Sequence, residues 1–533
     1  MLPTISPLEV SNHNTLASLW IAIDDVVYDF TEFAPTHPGG LTVLLQHAGR
    51  DGTAAYKAVH SPSLLKSTLP VSKNLGRLSS PLPPSSALPT SSRNNPPKPP
   101  LSSLISVNDF RLAAHTFLPP KTLAFISSAA TDCHTHRRNN STYSDITLRP
   151  RVLVDVSAPV SLATTILGQP VSTPIFVSPT SLGKTVHPEG ELEIARACKD
   201  LAGVAQIVST SASFSVADVV QASAAHNPPP QPGNDSNTTT TPPIFLQLYV
   251  DKHAPTTEAL LRSLTSPSSS GADDDDDDDD DAPPPPSKIK AVFLTVDAPV
   301  PGKREADERT PSSSSSSTTQ TLTPMATQLS PSPLSSSSDD PKGAALGRLM
   351  ASYISPALTY SHTLPWLRSL LPPSVPLVIK GIQTAADARR AVEAGVDGIV
   401  VSNHGGRSLD TVPASVLVLL ELQRCCPEVF DRVEVFVEGG VERGVDVFKG
   451  LCLGARGVGV GRGVLYGLGY GREGVKKVLE ILNDELVTTM KMCGVTRLDE
   501  LHPGLLNTRA VDHLVPESMS EEHPYAKWRR SKI

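Results

Sequence analysis

Eight short apolar runs in the second part of the chain constrain its fold more than any other feature. Each run is separated from the next by enough residues for a helix. The runs span residues 174–178, 204–209, 244–249, 291–296, 377–380, 396–401, 433–437 and 457–460. Short apolar runs of this kind are typical of parallel strands that are buried on both faces. Eight of them with intervening helices predict an α/β fold, the (β/α)8 TIM barrel.

The run at residues 396–401 leads into the segment Ser402-Asn403-His404-Gly405-Gly406-Arg407. Barrels of this kind build their active sites at the carboxyl ends of the strands. His404 can act there as a base, the glycines let the backbone approach a flat ligand, and Arg407 can bind a carboxylate through two hydrogen bonds. Taken alone, a histidine at a strand end is more often structural than catalytic.

Other strand ends carry polar side chains that suit the same site. Lys380 offers a fixed positive charge for an anionic reduced ring, and Ser209, Gln247 and Thr295 offer neutral hydrogen-bonding groups. Asp297 is placed to orient the imidazole of His404. Lys380 as a salt-bridge residue and Asp297 as a helix cap are the structural alternatives.

Glycine-rich turns follow the last two strands. They are Glu438-Gly439-Gly440-Val441-Glu442-Arg443-Gly444 and Gly459-Val460-Gly461-Arg462-Gly463. Barrels commonly hold a phosphate group after strands 7 and 8. The turns therefore predict a phosphorylated cofactor.

Residues 1–78 form a separate compact unit. Trp20 to Phe30 reads as two short strands around an Asp24-Asp25 turn, and His37-Pro38-Gly39-Gly40 follows. His60 lies at the end of a later helical pattern. Two histidines from separate helices would fill both axial positions of a haem iron, which then can only pass electrons. A surface histidine in a Pro-Gly turn is the alternative for His37.

Low-complexity segments separate the folded parts. We expect a Pro/Ser-rich linker at 79–104, a barrel over 105–515 with insertions at 227–243, 265–287 and 308–341, and a tail at 516–533. The second insertion holds nine consecutive aspartates, Asp273 to Asp281, and a solvated loop is the expected role; binding of calcium or a basic partner is the alternative. Without them the net charge of -8 becomes -8 + 9 = +1, so we expect no nucleic-acid partner.

The compartment is indicated by three features. The six cysteines lack zinc-type spacing and favour reduced thiols inside the cell. The chain has no run of 18 apolar residues, so no membrane span is predicted. The terminal Ser531-Lys532-Ile533 differs by one residue from the peroxisomal address Ser-Lys-Leu, with a frayed basic tail as the alternative. Cytoplasm or peroxisome is therefore the expected location.

The first unit resembles the cytochrome b5 family over essentially its whole length. Trp20, Tyr28-Asp29-Phe30, His37-Pro38-Gly39-Gly40 and His60 carry the resemblance. It implies a small α+β domain with heme b, and with His37 and His60 as the iron ligands.

Residues 105–510 resemble the FMN-dependent α-hydroxy acid dehydrogenase and oxidase family. The segment 402–407, Leu294-Thr295-Val296-Asp297-Ala298-Pro299, Gly302-Lys303-Arg304-Glu305, Gln247-Leu248-Tyr249-Val250 and Val378-Ile379-Lys380-Gly381 match its active-site motifs. With the haem unit in front, the chain resembles the flavocytochrome b2 family of fungal L-lactate dehydrogenases. That family implies a homotetramer and makes the mitochondrial intermembrane space a third candidate compartment.

The resemblance assigns roles to individual residues. His404 would be the base, supported by Asp297, while Arg407, Arg304 and the residue at position 125 would face the substrate carboxylate and Tyr249 its hydroxyl. The FMN contacts would be Ser178, Ser209, Gln247, Thr295, Lys380, Ser402, Glu438, Gly439, Gly440, Arg443, Gly461 and Arg462.

The chain departs from the family pattern at several of these positions. Phe125 replaces a tyrosine that helps to hold the carboxylate, and loss of the hydroxyl should weaken substrate binding. Glu442 replaces an arginine that faces the FMN phosphate, so we expect either that Glu442 turns outward and Arg443 compensates, or that flavin binds weakly. The remaining departures are Ala129 for glycine, Ser211 for a larger residue, Ser408 for glutamine and Glu438 for aspartate. A substrate larger than lactate stays open.

Three functions remain as candidates. The first is oxidation of a short L-2-hydroxy acid, with L-lactate as the leading substrate, by FMN, with electrons passing through a b-type haem to cytochrome c. The second is a 2-hydroxy acid oxidase that uses oxygen and releases peroxide. The third is a haem electron carrier whose barrel lacks flavin. The sequence does not choose between proton removal from the substrate oxygen and from its carbon.

Overall fold

The computed structural model describes residues 3–34, 44–45, 47–53, 56, 65, 69–80, 98–224, 241–265, 287–310 and 353–517. The chain divides into two compact units, Met1–Pro97 and Lys98–Ile533, and the division falls inside the predicted linker. His37 and His60 lie outside the described residues, as do most residues of the three predicted insertions and of the predicted tail.

The described part of the first unit is a small mixed sheet with one helix. Its elements are β1 (Thr4–Ile5), α1 (Pro7–Asn12), β2 (Asn14–Thr15), β3 (Ser18–Ile23), β4 (Val26–Asp29), β5 (Arg50–Asp51) and β6 (Asn74–Leu78). The strand order is β1-β6-β4-β3-β2, and β5 pairs with β3. The predicted hairpin is confirmed, since β3 and β4 pair through Asp24 and Asp25, whose φ angles of 51° and 62° suit a tight two-residue turn.

The sheet of the first unit buries apolar side chains on both faces. Alternate residues of β3 point to opposite sides, so Leu19 and Ile21 join Phe30 in one cluster, while Ala22 joins Val27 in another. This two-sided burial explains why a segment as short as β3 forms a stable strand.

The second unit contains the predicted barrel. Its strands are β7 (Thr147–Leu148), β8 (Thr164–Ile166), β9 (Gln169–Val171), β10 (Ile175–Val177), β11 (Ala205–Ser209), β12 (Ile244–Leu248), β13 (Val292–Thr295), β14 (Leu377–Ile382), β15 (Gly398–Val401), β16 (Glu434–Glu438), β17 (Gly457–Val460) and β18 (Leu506–Asn507). Strands β10 to β17 are parallel and close in chain order, β17 pairing with β10. The eight apolar runs are these eight strands, so the predicted fold is confirmed.

Helices precede, connect and follow the barrel strands. They are α2 (Val107–Phe117), α3 (Pro120–Ser127), α4 (His134–Asp145), α5 (Gly190–Asp200), α6 (Val216–Ala224), α7 (Ala254–Thr265), α8 (Glu305–Arg309), α9 (Tyr360–Leu370), α10 (Ala385–Glu393), α11 (Ser415–Cys425), α12 (Val429–Arg432), α13 (Gly444–Cys452), α14 (Arg462–Leu468) and α15 (Gly471–Met492). Helix α10 shows why such segments are helical: Thr384 accepts a hydrogen bond from the backbone N–H of Asp387, and Gly395 follows the last turn with φ of 75°. Within the described parts of the chain, none of the helices combines the length and hydrophobicity that a bilayer crossing requires.

The barrel interior is filled, and one end is closed. Phe176, Phe245, Phe293 and Phe436 meet at its centre, with the rings of Phe176 and Phe436 at 87° to each other. The hairpin of β8 and β9 adds Ile166, Leu167 and Val171 to this cluster, and the backbone N–H of Leu167 donates to Glu434 at the start of β16. The carboxyl ends of the strands therefore remain as the end at which a site can form.

Candidate active site

His404 lies at the carboxyl end of β15 between a carboxylate and a phenol. Its Nδ1 lies 2.9 Å from Asp297 Oδ1, and its Nε2 lies 3.3 Å from the Tyr249 hydroxyl. Its φ of 58° is unusual for a residue with a side chain, and its backbone N–H donates to Ser402 Oγ at 3.0 Å, which helps to hold this conformation. The structure thus brings together the three residues expected to be catalytic.

Asp297 is charged in this arrangement although it is buried. Burial alone would raise the pKa of its carboxyl, but the interaction with His404 and the positive charge of Lys380 outweigh burial and hold the pKa below its ordinary value. An ionised Asp297 accepts the Nδ1–H of His404, which leaves Nε2 as the nitrogen that can take a proton. The site therefore contains a base with a fixed orientation.

Gly381 makes room for Asp297. It follows Lys380 at an irregular position of β14 and has φ of 114°. A Cβ at this position would lie 2.6 Å from Asp297 Cβ, closer than any real contact of this kind. The Asp297 carboxylate can thus lie against β14 only because residue 381 has no side chain.

Lys380 is both an ion-pair residue and part of the cavity. Its Nζ lies 2.7 Å from Glu438 Oε1, and Ser402 Oγ donates to the same carboxylate oxygen at 2.7 Å. Burial would lower the pKa of Lys380, but Glu438 and Asp297 raise it above its ordinary value. The lysine is therefore a permanent cation at the end of β14.

The neutral groups predicted at the strand ends form one hydrogen-bonded chain. Ser209 Oγ donates to Gln247 Oε1 at 2.6 Å, and Gln247 Nε2 donates to Thr295 Oγ1 at 2.9 Å. The register of β11 against β12 places Ser209 beside Gln247. All three side chains are buried, which fixes their donor and acceptor directions.

A single cavity at this end of the barrel collects most of the predicted site residues. Those that line it are Phe125, Ser178, Tyr249, Arg304, Lys380, His404, Arg407, Glu438, Gly439, Gly440, Gly461 and Arg462. Five other predicted residues are buried outside this lining. Asp297 and Ser402 bond to His404 and Glu438, which line the cavity, while Ser209, Gln247 and Thr295 bond to one another. Arg443 is not brought to the cavity.

Two guanidinium groups lie against the ring of Phe125. The Cζ atoms of Arg304 and Arg407 lie 5.3 Å and 5.4 Å from its centroid. One nitrogen of Arg407 donates to the carbonyls of Phe125 and Ser128, at 2.9 Å and 2.8 Å, which fixes the group. Burial and the nearby charge of Arg304 lower the pKa of Arg407. Among the described residues no carboxylate forms an ion pair with either arginine, and two such cations side by side form a site for an anion.

The structure corrects the expectation for Arg443. Arg443 Nη1 pairs with Glu485 on α15 at 2.8 Å, and the residue occupies the cap position of α13. The adjacent Glu442, which Arg443 was expected to offset, lines the cavity. The physical reason is the helix start: the backbone N–H of Arg443 donates to Asp446 at 3.0 Å, which turns its side chain toward α15.

Residues from the segment before the barrel also line the cavity, and no local pattern in the sequence indicates them. His136 on α4 lies with its Nδ1 2.6 Å from Arg462 Nη1, and Asn108, Arg111 and Asn140 line the same cavity. Asn139 exchanges side-chain hydrogen bonds with Asn403 at 2.8 Å and 2.7 Å. Since these partners are hundreds of residues apart, only the folded chain reveals them.

A tyrosine after the third insertion was also missed. The backbone N–H of Lys252 donates to the Tyr353 carbonyl at 2.7 Å, next to the bridge between Asp251 and Ile354. The Tyr353 hydroxyl bonds to Ser211, the small residue at a position where a larger one was expected. Burial raises the pKa of Tyr353 to about 12, so the hydroxyl stays neutral.

The residues that line the cavity fit FMN in their chemistry. A Cβ at Gly459 would lie 2.4 Å from Ser178 Oγ, and one at Gly440 would lie 2.2 Å from the Asn139 carbonyl, so side chains there would displace the cavity wall. At Gly461 the nearest atom would be Ser178 Cβ at 3.7 Å, which leaves space open. Lys380 supplies a cation for an anionic ring and Arg462 one for a phosphate. For the haem, the expected ligands lie outside the described residues, and among the described residues no cluster of His, Cys, Asp and Glu could hold a metal ion.

Two family profiles match the chain. The profile of the FMN-dependent dehydrogenase family matches residues 114–269 and 286–508. The profile of the cytochrome b5-like heme/steroid binding domain matches residues 6–79.

Similar proteins include two of different organisation. The L-lactate dehydrogenase (cytochrome) of Saccharomyces cerevisiae is 35% identical over 94% of this chain and 79% of its own length. A peroxisomal (S)-2-hydroxy-acid oxidase of Oryza sativa subsp. japonica is 37% identical over 74% of this chain and 94% of its own length. The first match therefore extends into the N-terminal unit.

Solved structures give the same result. The flavin-binding domain of baker's yeast flavocytochrome b2 matches with a TM-score of 0.59 and 34% identity, covering 82% of this chain and 93% of that one. A mandelate oxidase with (S)-4-hydroxymandelic acid matches with a TM-score of 0.61 and 27% identity, covering 76% of this chain and 98% of that one.

Proposed function

Since this chain belongs to the FMN-dependent dehydrogenase family and carries a cytochrome b5-like haem domain in front of the barrel, we propose that it oxidises a short L-2-hydroxy acid, with L-lactate as the leading candidate, to the 2-oxo acid. The observation that carries the proposal is the position of His404 between Asp297 and Tyr249, in the cavity that Arg304 and Arg407 also line.

The residues of the site have different roles in the reaction. Arg304 and Arg407 bind the substrate carboxylate, because two neighbouring guanidiniums that form no ion pair within the described part of the chain favour an anion. With the acid held there, His404 Nε2 takes the proton, and Asp297 stabilises the imidazolium that results. When bound, FMN supplies the acceptor for two electrons and the b-type haem a route by which single electrons leave.

Tyr249 orients the substrate. Burial and the charge of Asp297 raise the pKa of its hydroxyl, so the group remains protonated and can donate a hydrogen bond to the substrate hydroxyl. Its distance of 3.3 Å from His404 Nε2 puts the donor and the base beside the same substrate atoms. We infer that Tyr249, like His404, contacts the reacting group.

The other FMN contacts follow from the strand ends. We propose that Ser178, Ser209, Gln247, Thr295, Lys380, Ser402 and Glu438 hold the ring system, and that Gly439, Gly440, Gly461 and Arg462 hold the ribityl phosphate. The hydrogen-bonded chain from Ser209 to Thr295 and the cation at Lys380 support the ring side of this assignment. The open space at Gly461 supports the phosphate side.

For the electron acceptor we propose cytochrome c. Support comes from the relative whose name includes the cytochrome and whose match spans both units. The test is to add L-lactate to the purified protein and measure cytochrome c reduction and peroxide release in parallel. Cytochrome c reduction with bleaching of the flavin is the expected result; peroxide release without haem reduction would contradict it.

An oxidase is the second candidate, favoured by the likeness to peroxisomal oxidases. A haem carrier with a flavin-free barrel is the third, favoured by Glu442 in the cavity. The absorption spectrum of the purified protein distinguishes this third candidate from the first two. A Soret band with no flavin released on denaturation would support it.

Assembly and compartment are part of the proposal. We propose a homotetramer, which light scattering tests. The resemblance to the flavocytochrome b2 family makes the mitochondrial intermembrane space one candidate, and the peroxisomal relatives together with Ser531-Lys532-Ile533 make the peroxisome another. The cytoplasm is the third candidate, and the location of a tagged chain decides among them.

A further inference from the structure

The phosphate end of the cavity contains a carboxylate where an anion is expected to bind. Glu442 lines the cavity together with Arg462, and its negative charge acts on the Arg462 guanidinium. A carboxylate near a phosphate repels it, and more strongly in a partly buried site than in water. Arg443 does not offset this charge, since it pairs with Glu485. One arginine and one glutamate together supply no net positive charge for the phosphate.

Arg111 on α2 lines the same cavity. Its Nε donates to Asn108 Oδ1 at 3.1 Å, and among the described residues no carboxylate forms an ion pair with it. The side chain is exposed, and Asn108, which accepts from both Nε and Nη2 of Arg111, lines the cavity beside it.

His136 shows that the charge of Arg111 reaches the phosphate end. Burial and the charges of Arg462 and then Arg111 lower the pKa of this histidine to about 3. The same histidine contacts Arg462 directly, with Nδ1 and Nη1 2.6 Å apart. Arg111 and Arg462 therefore act on one small region from two different elements, α2 and α14.

We propose that Arg111 supplies the positive charge that offsets Glu442, and that it binds the FMN phosphate together with Arg462. The inference rests on the proposed function, because it takes FMN as the molecule in the cavity. Arg111 is a cofactor-positioning residue in this assignment and does not contact the substrate.

The test compares FMN with riboflavin, which has the same ring system but no phosphate. Each flavin is titrated into the full-length chain after removal of its flavin, and quenching of flavin fluorescence gives the dissociation constant. For Arg111→Gln we expect FMN binding to weaken about tenfold or more, as loss of a charge-assisted hydrogen bond predicts, while riboflavin binding stays unchanged. Unchanged riboflavin binding also shows that the variant is folded.

Matched variants make the result specific. Arg138→Gln removes an exposed arginine of α4 that does not line the cavity, and we expect no change for either flavin. Glu442→Gln should strengthen FMN binding without affecting riboflavin. The charge exchange Arg111→Glu with Glu442→Arg should restore FMN binding relative to Arg111→Glu alone.

Two outcomes would overturn the proposal, and they are distinct. If the unmodified chain prefers FMN to riboflavin and Arg111→Gln keeps that preference, the assignment of Arg111 is wrong while the proposed function stands. If the unmodified chain binds neither flavin, the proposed function fails, and the assignment fails with it.

Discussion

Lys380 Nζ and Glu438 Oε1 lie 2.7 Å apart in a buried ion pair that joins the carboxyl ends of β14 and β16. Removing one partner of such a pair leaves an uncompensated buried charge, which costs about 3 to 5 kcal/mol. We therefore expect Lys380→Met and Glu438→Leu each to lower the free energy of unfolding by about that amount. The double variant should recover most of the loss, and urea unfolding measures all three; additive losses would contradict the pairing.

The acid stability of the barrel depends on the same pair. Burial would raise the pKa of Glu438, but Lys380 and hydrogen bonds lower it below the ordinary value of 4.5. A carboxyl with a lowered pKa in the folded state adds stability above its unfolded pKa, and that stability is lost as the pH falls through the folded pKa. In a pH series below about 4.5, Glu438→Gln should therefore lose less stability than the unmodified chain.

Variants of His404 and Asp297 should lower the rate of flavin reduction without changing flavin binding. His404→Gln removes the base, and we expect the rate of flavin bleaching by L-lactate to fall about 10²- to 10⁴-fold, while flavin content is unchanged. Asp297→Asn keeps the shape and removes the charge that stabilises the imidazolium, so we expect a large loss of rate there too. Asp251→Asn, at a carboxylate after β12 outside the cavity, is the control. Stopped-flow absorbance provides the measurement, and bleaching at the normal rate in His404→Gln would exclude it as the base.

Phe125→Tyr should improve substrate binding. The ring lies close to both Arg304 and Arg407, so a hydroxyl on it would lie near the two guanidiniums that bind the substrate carboxylate. One added hydrogen bond to a charged group predicts a KM about tenfold lower with little change in kcat. Phe214→Tyr, whose ring contacts Lys184 outside the cavity, should change neither constant.

Tyr353 should limit substrate size. Its hydroxyl bonds to the small Ser211, so a larger residue at position 211 would have to displace the Tyr353 side chain. Tyr353→Ala should therefore raise kcat/KM for a long-chain 2-hydroxy acid relative to lactate, whereas Tyr353→Phe, which keeps the volume, should leave the ratio unchanged. Equal ratios in all three proteins would show that the two side chains do not shape the substrate site.

The sequence predicted the barrel because its strands carry a local signal. The run at residues 244–249 is apolar except at Gln247 and Tyr249, as a strand buried on both faces requires, and the structure has β12 at Ile244–Leu248. The glycine and polar residues that follow these runs are also a local signal, and they predicted the site around His404.

The rest of the site has no such signal. His136 and Arg462 are 326 residues apart, and nothing near either residue indicates the other. Arg443 was assigned from its place beside Glu442, but neighbours in a chain at a helix start point in different directions, and the partner of Arg443 is on α15. Periodic burial can be predicted from the sequence, whereas side-chain partners across the fold cannot.

The absence of a side chain at position 381 restricts which substitutions this protein can accept during evolution. Residue 381 meets no reactant, yet any replacement adds atoms where the Asp297 carboxylate must lie. In mutational scanning, position 381 should therefore tolerate substitution as poorly as His404. An inherited change there should give an inactive enzyme in which all the reactive groups are still present.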